Sequence, residues 1–468
     1  MKRNIGEFVA KYLQKKGELH NLLDFNRIRL LCSGSSVILA LISQQQSGGK
    51  KMKKSVFRLK EKKRTLRLSA FLLAVSMLLC SCAKEPLPPD PRVEKYLAEV
   101  QPYLEQYAKP IDWKQGLSDS DFGEARNARV FLAGETYFQD KNYQAKKMLL
   151  SYLHQNCGVN YLLLEESIGA GILAEEYLKT GDEELLHFMM RAKKEQHGNT
   201  KEDAEFWKWL YEYNLEQPEQ KKIHVIGLDI ESNWEGEAVA ARLLLKEGAQ
   251  APYGLHQWWG DFTSDDLKAI SRGFLELSRL ISQYRDQMQP LFAENFNLLL
   301  RLMGNIDICY QYRNGKQMGK TPAQINNIRE RAIANNFSYF FDQLPQDAKY
   351  FGQFLDVRSF QSVFEQSETG EKTQRFATIL TEEILSKEEV CSILCVSAEG
   401  KGEKAEFVNP QYSWLPVELF RNCVTQDTFL ALDGKDSPFH SGEEELRLTD
   451  YVQKMVFLTN SKETQPYR

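Results

Sequence analysis

Three acidic residues stand at the same place relative to three apolar runs. Glu135 follows "ARVFLAG", Glu165 ends "NYLLLE" and Asp229 ends "VIGLD". A fourth run, "KYFGQF", is followed by Asp356 and Arg358, and Tyr137 stands two residues beyond Glu135. Carboxylates in such a set can act as general acid or base, hold a hard cation or bind a polar ligand, and guanidinium and phenol add donors. Any one acid taken alone reads more simply as a loop carboxylate facing a helix N-terminus. Three in register favour a site, because an open parallel sheet binds ligands at the carboxyl ends of its strands.

The elements that must position these residues are legible as alternation. Strand-length apolar runs occur at "ARVFLAG", "VNYLLLE", "IHVIGLD", "AKYFGQF", "EVCSILCVS", "DTFLAL" and "KMVFLTN", and the stretches between them are charged with spacings of three or four. That alternation predicts an α/β domain, a mostly parallel sheet flanked by helices, over 126–468. Between the third and fourth strands lies a long insertion, about 234–344, whose periodicity is helical. It should cover the carboxyl edge of the sheet.

The front end differs in charge. Of 60 Lys and Arg, 17 fall in residues 1–81; of 64 Asp and Glu, only 4 do. The rest of the chain is therefore acidic, which argues against nucleic acid as a partner. From Met52, "MKKSVFRLKEKKRTLR" is a basic n-region. The h-region "LSAFLLAVSMLL" that follows is shorter than the roughly 20 residues of a membrane-spanning helix. Residues 52–81 thus form a signal peptide, and 1–51 an upstream extension. "LCSC" resembles a bacterial lipobox, which implies lipidation at Cys82 and a body outside the cytoplasm, anchored to the membrane. An uncleaved anchor helix would leave the body on the same side. A Pro-rich tether and a helix occupy 82–125. The remaining cysteines show no CxxC or metal-type cluster, and Cys391 and Cys395 share one strand face too far apart to bridge.

Several motifs in order, "VFLAGETYFQDKNYQAKK", "EEYLKTGDEELL", "FWKWLYEYN", "IHVIGLDIES", "IRERAIANN", "KYFGQF" and "YVQKMVFLTNSKETQP", resemble the erythromycin-esterase-like hydrolases. That group is similar in core to the ChaN haem-binding lipoproteins and the TIKI-type proteases. The resemblance implies an ester substrate or other small-molecule ligand. It also implies a histidine two or three residues after Glu135 and another after the fourth strand. Tyr137, Phe138 and Arg358 stand there instead, and neither phenol nor guanidinium accepts a proton from water at neutral pH. Of the other histidines, His197 alone sits in a loop able to approach the crevice. "IRERAIANN" offers Arg329 and Asn336 as polar contacts. Two readings remain open. In one, a divergent hydrolase uses Glu135 as base, Glu165 to orient it, and Tyr137 and Arg358 to stabilise an oxyanion. In the other, the fold binds ligand without catalysis, Asp229 and Asp356 adding contacts. That second reading includes haem with Tyr137 as axial ligand, or a divalent cation on Glu135, Glu165 and Asp229.

Overall fold

The computed structural model describes residues 100–193, 199–230, 234–245, 267–365, 372–399, 406–407, 426–440 and 448–467. The signal peptide, Cys82, the tether before 100 and His197 lie outside the described residues. One sheet of nine strands organises the domain. In chain order the strands are β1 (Ala108–Pro110), β2 (Val130–Glu135), β3 (Tyr161–Ser167), β4 (His224–Asp229) and β5 (Tyr350–Leu355). A separate ribbon pairs β6 (Phe364–Glu365) with β7 (Lys372–Thr373). The sheet then resumes with β8 (Val390–Glu399), β9 (Glu406–Phe407), β10 (Thr428–Ala431) and β11 (Lys454–Leu458). Across the sheet the order is β1-β10-β11-β8-β2-β5-β3-β4, with β9 beside β8. From β11 to β4 all pairs are parallel, while β1, β9 and β10 pair antiparallel.

All seven expected runs form strands. The short edge strand β1 and the two-residue pieces carry no apolar period and were not foreseen.

Strand β2 shows why the middle of the sheet reads as unbroken apolar sequence. Phe131 and Ala133 pack with Leu149, Leu164 and Leu173 on one face, and Val130 and Leu132 pack with Leu163, Phe337 and Tyr350 on the other. A strand covered by helices on both faces needs apolar residues at every position. Those helices are Asp140–Tyr152, Ile168–Thr180, Glu183–Ala192, Lys201–Leu215 and, from the insertion, Pro322–Gln343. Thr321 and Gln324 form a capping box before Pro322, which fixes the start of the helix that reaches the site.

The described part of the insertion is helical, in Trp234–Leu243, Leu267–Gln283, Arg285–Phe292, Phe296–Arg313 and Pro322–Gln343. Only the last two reach the carboxyl edge, through Tyr312, Arg313 and Arg329. Buried Ala240, Phe274, Leu277 and Phe292 place the first three in the larger core. Among the described residues, the expected cover comes from the C-terminal end of the insertion.

Candidate functional site

Two local devices converge the side chains. The pairing of β3 with β4 shifts register between Leu164 and Ser167. In a regular strand Glu165 and Glu166 would face opposite sides of the sheet; at this irregularity both line one cavity. The second device is Gly134. A Cβ there would stand 2.7 Å from the Asp356 carbonyl oxygen, so only glycine lets the 3-10 turn Asp356–Ser359 close over the end of β2. That turn carries Arg358.

Glu165 sits at the centre. Its Oε1 accepts from the Tyr137 hydroxyl at 2.7 Å and from Arg358 Nη1, and its Oε2 accepts from the Leu355 backbone N–H at 2.6 Å. Arg358 is buried, and its other edge meets Glu330 through Nε at 3.1 Å and Nη2 at 2.9 Å. Glu330 also takes Arg375 at 3.1 Å and the Phe376 N–H at 3.2 Å. Next to this network Arg329 chelates Asp229, with Nε 2.9 Å from Oδ1 and 3.0 Å from Oδ2, and lies 3.9 Å from Glu165.

Glu135 has a different environment. Gln353, opposite Ala133 and Leu164 in the register, donates to its Oε2 at 2.6 Å. Burial pushes its pKa up to about 8; Lys146 opposes that and Glu165 adds to it. Burial also raises Glu165, against the pull of Arg358. For Tyr137, burial and the Glu165 charge both push the phenol upward, above the range in which a tyrosinate forms.

These groups meet in a cavity of about 280 Å³, at the small end for a ligand site. Its wall includes Glu135, Tyr137, Glu165, Asp229 and Arg329, together with Tyr143, Lys146, Glu166, Thr200 and Asp203. Lys193 stands 2.8 Å from both Glu166 and Asp203. Burial works against its charge, yet the two carboxylates hold its pKa above the ordinary lysine value. The C-terminal segment closes the rim: Thr464 N–H donates to the Phe138 carbonyl at 2.9 Å and Asp140 N–H to that of Lys462 at 2.8 Å. Phe138 has φ 66°, a left-handed conformation unusual for a bulky side chain, at the point where the chain turns between Tyr137 and the next helix.

The structure therefore brings Glu135, Tyr137, Glu165, Asp229 and Arg329 together at the cavity. Arg358 lies behind Glu165, outside the wall, because two carboxylates enclose its guanidinium. Asp356 is buried in its own turn, accepting from the Val357 N–H at 2.5 Å. Asn336 is buried as a clamp, donating to the Leu228 carbonyl at 2.7 Å and accepting from Arg301 at 2.7 Å. Among the described residues no histidine lines the cavity; His154, for example, bonds Tyr213 and the Lys221 carbonyl.

The cation reading does not fit this arrangement. Arg329 and Arg358 occupy Asp229 and Glu165, and among the described residues no three His, Cys, Asp or Glu are placed to hold a metal ion. Haem ligation by Tyr137 fits poorly too, since its hydroxyl is given to Glu165 as a donor.

Sequence reasoning missed Lys146, Glu166, Lys193, Asp203, Glu330 and Gln353. Asn142, Tyr143 and Lys146, one helical turn apart, were a legible polar face. Lys193, ten residues from Asp203, had no local signal.

The comparisons with known proteins fit this geometry. Residues 154–347 match the family model described as erythromycin esterase. That segment is similar to the erythromycin esterases. Tyr137 and Arg358 fall outside the matched segment. A Bacillus cereus protein has a similar fold at TM-score 0.55 and 15% identity, over 80% of this chain and 99% of its own. A succinoglycan biosynthesis protein aligns at 0.54 and 13%, over 80% and 98%. A mutant of the erythromycin esterase EreC in its open conformation aligns at 0.50 and 12%, over 76% and 97%. At such identities the likeness is one of fold. No curated protein matches the sequence significantly.

Proposed function

We propose that this chain is a divergent hydrolase that activates water with Glu135 and attacks the carbonyl of a small polar ester. One observation carries the reading. At the end of β2 a partly buried carboxyl, its pKa pushed up to about 8, lines a cavity and, among the described residues, accepts a side-chain hydrogen bond from Gln353. Such a group can take a proton from water and return it, the work that family resemblance assigns to histidine. In the proposal Tyr137 and Arg358 stand where family members carry histidines. Glu165 is the fixed partner: with three donors on its two oxygens, it orients Tyr137 and shapes the wall instead of accepting a further proton. Among the described residues, the cations at the wall able to meet a developing oxyanion are Lys146, Arg313 and Arg329.

A second reading, ligand binding without turnover, is favoured by the engagement of Tyr137 and Arg358 with Glu165, which leaves the reaction centre few free donors. We also propose that the protein is a lipoprotein anchored through Cys82 outside the cytoplasm, on the lipobox alone.

Protein purified from Lys84 onward and offered a panel of polar esters should hydrolyse at least one, and Glu135→Gln should lower that turnover by about 10²- to 10⁴-fold. Binding of panel members without any turnover supports the second reading, and a Soret band on adding haem would extend it to a haem carrier. Loss of the detergent-soluble form in Cys82→Ala tests the anchor.

A further inference from the structure

Lys146 lines the cavity without a direct ion pair among the described residues. Its ammonium lies over the Phe206 ring, 4.4 Å from the centroid, and among the described residues it has no ion pair or hydrogen bond. The carboxylates around it are committed elsewhere, Glu166 and Asp203 to Lys193 and Glu135 to Gln353. Two acceptors on the same wall, Gln139 Oε1 and Gln353 Oε1, are buried and receive no donor. A half-buried ammonium wants an acceptor and a buried amide oxygen wants a donor, so an occupant that supplies both completes the cavity.

We infer that the cavity binds a small hydroxylated carboxylate, its carboxylate on the Lys146 ammonium and its hydroxyls donating to the Gln139 and Gln353 side-chain oxygens. The inference rests on the hydrolase reading, in which this carboxylate is one the substrate carries besides its ester. Burial pushes the Lys146 pKa down, while Asp203 and Glu135 push it up. The charged groups that act on it are Glu135 from β2, Glu166 from β3, Lys193 after Glu183–Ala192 and Asp203 from Lys201–Leu215. A bound carboxylate favours the ammonium, so binding takes up a proton and weakens as pH rises.

The test is calorimetry on the full chain with three probes: glucuronate, its neutral amide glucuronamide, and cyclohexanecarboxylate, which lacks hydroxyls. Glucuronate should bind with a heat that depends on the ionisation enthalpy of the buffer, and both other probes at least about tenfold more weakly. Lys146→Met should weaken glucuronate by about tenfold to a hundredfold and leave glucuronamide unchanged; Lys146→Arg should retain most of the affinity and controls for folding. Gln139→Leu should weaken both hydroxylated probes. Absence of glucuronate binding, or equal binding of glucuronate and glucuronamide, overturns the inference. Assaying the native chain for both separates the two claims: glucuronate binding without ester turnover sinks the hydrolase reading alone, and turnover with indifferent probes sinks this one alone.

Discussion

The Tyr137 hydroxyl donates to Glu165 Oε1 across 2.7 Å, and Arg358 Nη1 donates to the same oxygen. Tyr137→Phe removes one of three donors to a buried carboxylate without changing the shape of the wall. It should cost about 1–2 kcal/mol of stability, read from urea unfolding. A Tyr137→Phe protein as stable as the native one would mean that the hydroxyl is idle.

Arg358 is the more costly to remove. It joins Glu165 to Glu330, and Arg358→Met leaves Glu165 without a cation closer than Arg329 at 3.9 Å. The expected loss is about 3–5 kcal/mol. Arg358→Lys should recover only part of it, because one ammonium cannot reproduce a two-edged guanidinium contact. Equilibrium unfolding of both variants checks the order.

How much of this was readable beforehand follows from the range of the forces involved. The strand ends at Glu135, Glu165 and Asp229 were legible because apolar runs and their terminating acids are local. The Arg358–Glu165 bond was legible only as a neighbourhood. Its other half, Glu330, sits on the insertion helix 28 residues earlier, beside an Arg329 already singled out. Asn336 resembles a site residue in its motif, yet helical phase turns it to the Leu228 carbonyl. The Lys193–Asp203–Glu166 wall was invisible because the β3 irregularity that points Glu166 inward leaves no mark in "LLLEES".

Gly134 tests how the site is assembled. Gly134→Ala sets a methyl 2.7 Å from the Asp356 carbonyl oxygen, and the turn bearing Arg358 must move. Overpacking of this kind costs about 1–3 kcal/mol. The variant should unfold at lower denaturant and lose part of the additional cost of Arg358→Met in a double-mutant cycle; strict additivity would show that the turn does not depend on Gly134.

Stability should also report Glu135. Its folded pKa, about 8, lies above the ordinary 4.5, so the folded state binds the extra proton. Its contribution is complete below about pH 4.5 and is lost as pH rises toward 8. Glu135→Gln, which cannot ionise, should lack that decline, so its stability relative to the native protein should improve across this window. A pH-independent difference would place Glu135 in an ordinary solvated site.

The most direct test of the account is the pH–rate profile of ester hydrolysis by the native chain beside Glu135→Gln. With Glu135 as base, kcat/KM should rise with pH and level off above about 8, and the variant should fall by about 10²- to 10⁴-fold. Turnover in Glu135→Gln equal to that of the native chain, or a native profile flat from pH 6 to 9, would contradict it.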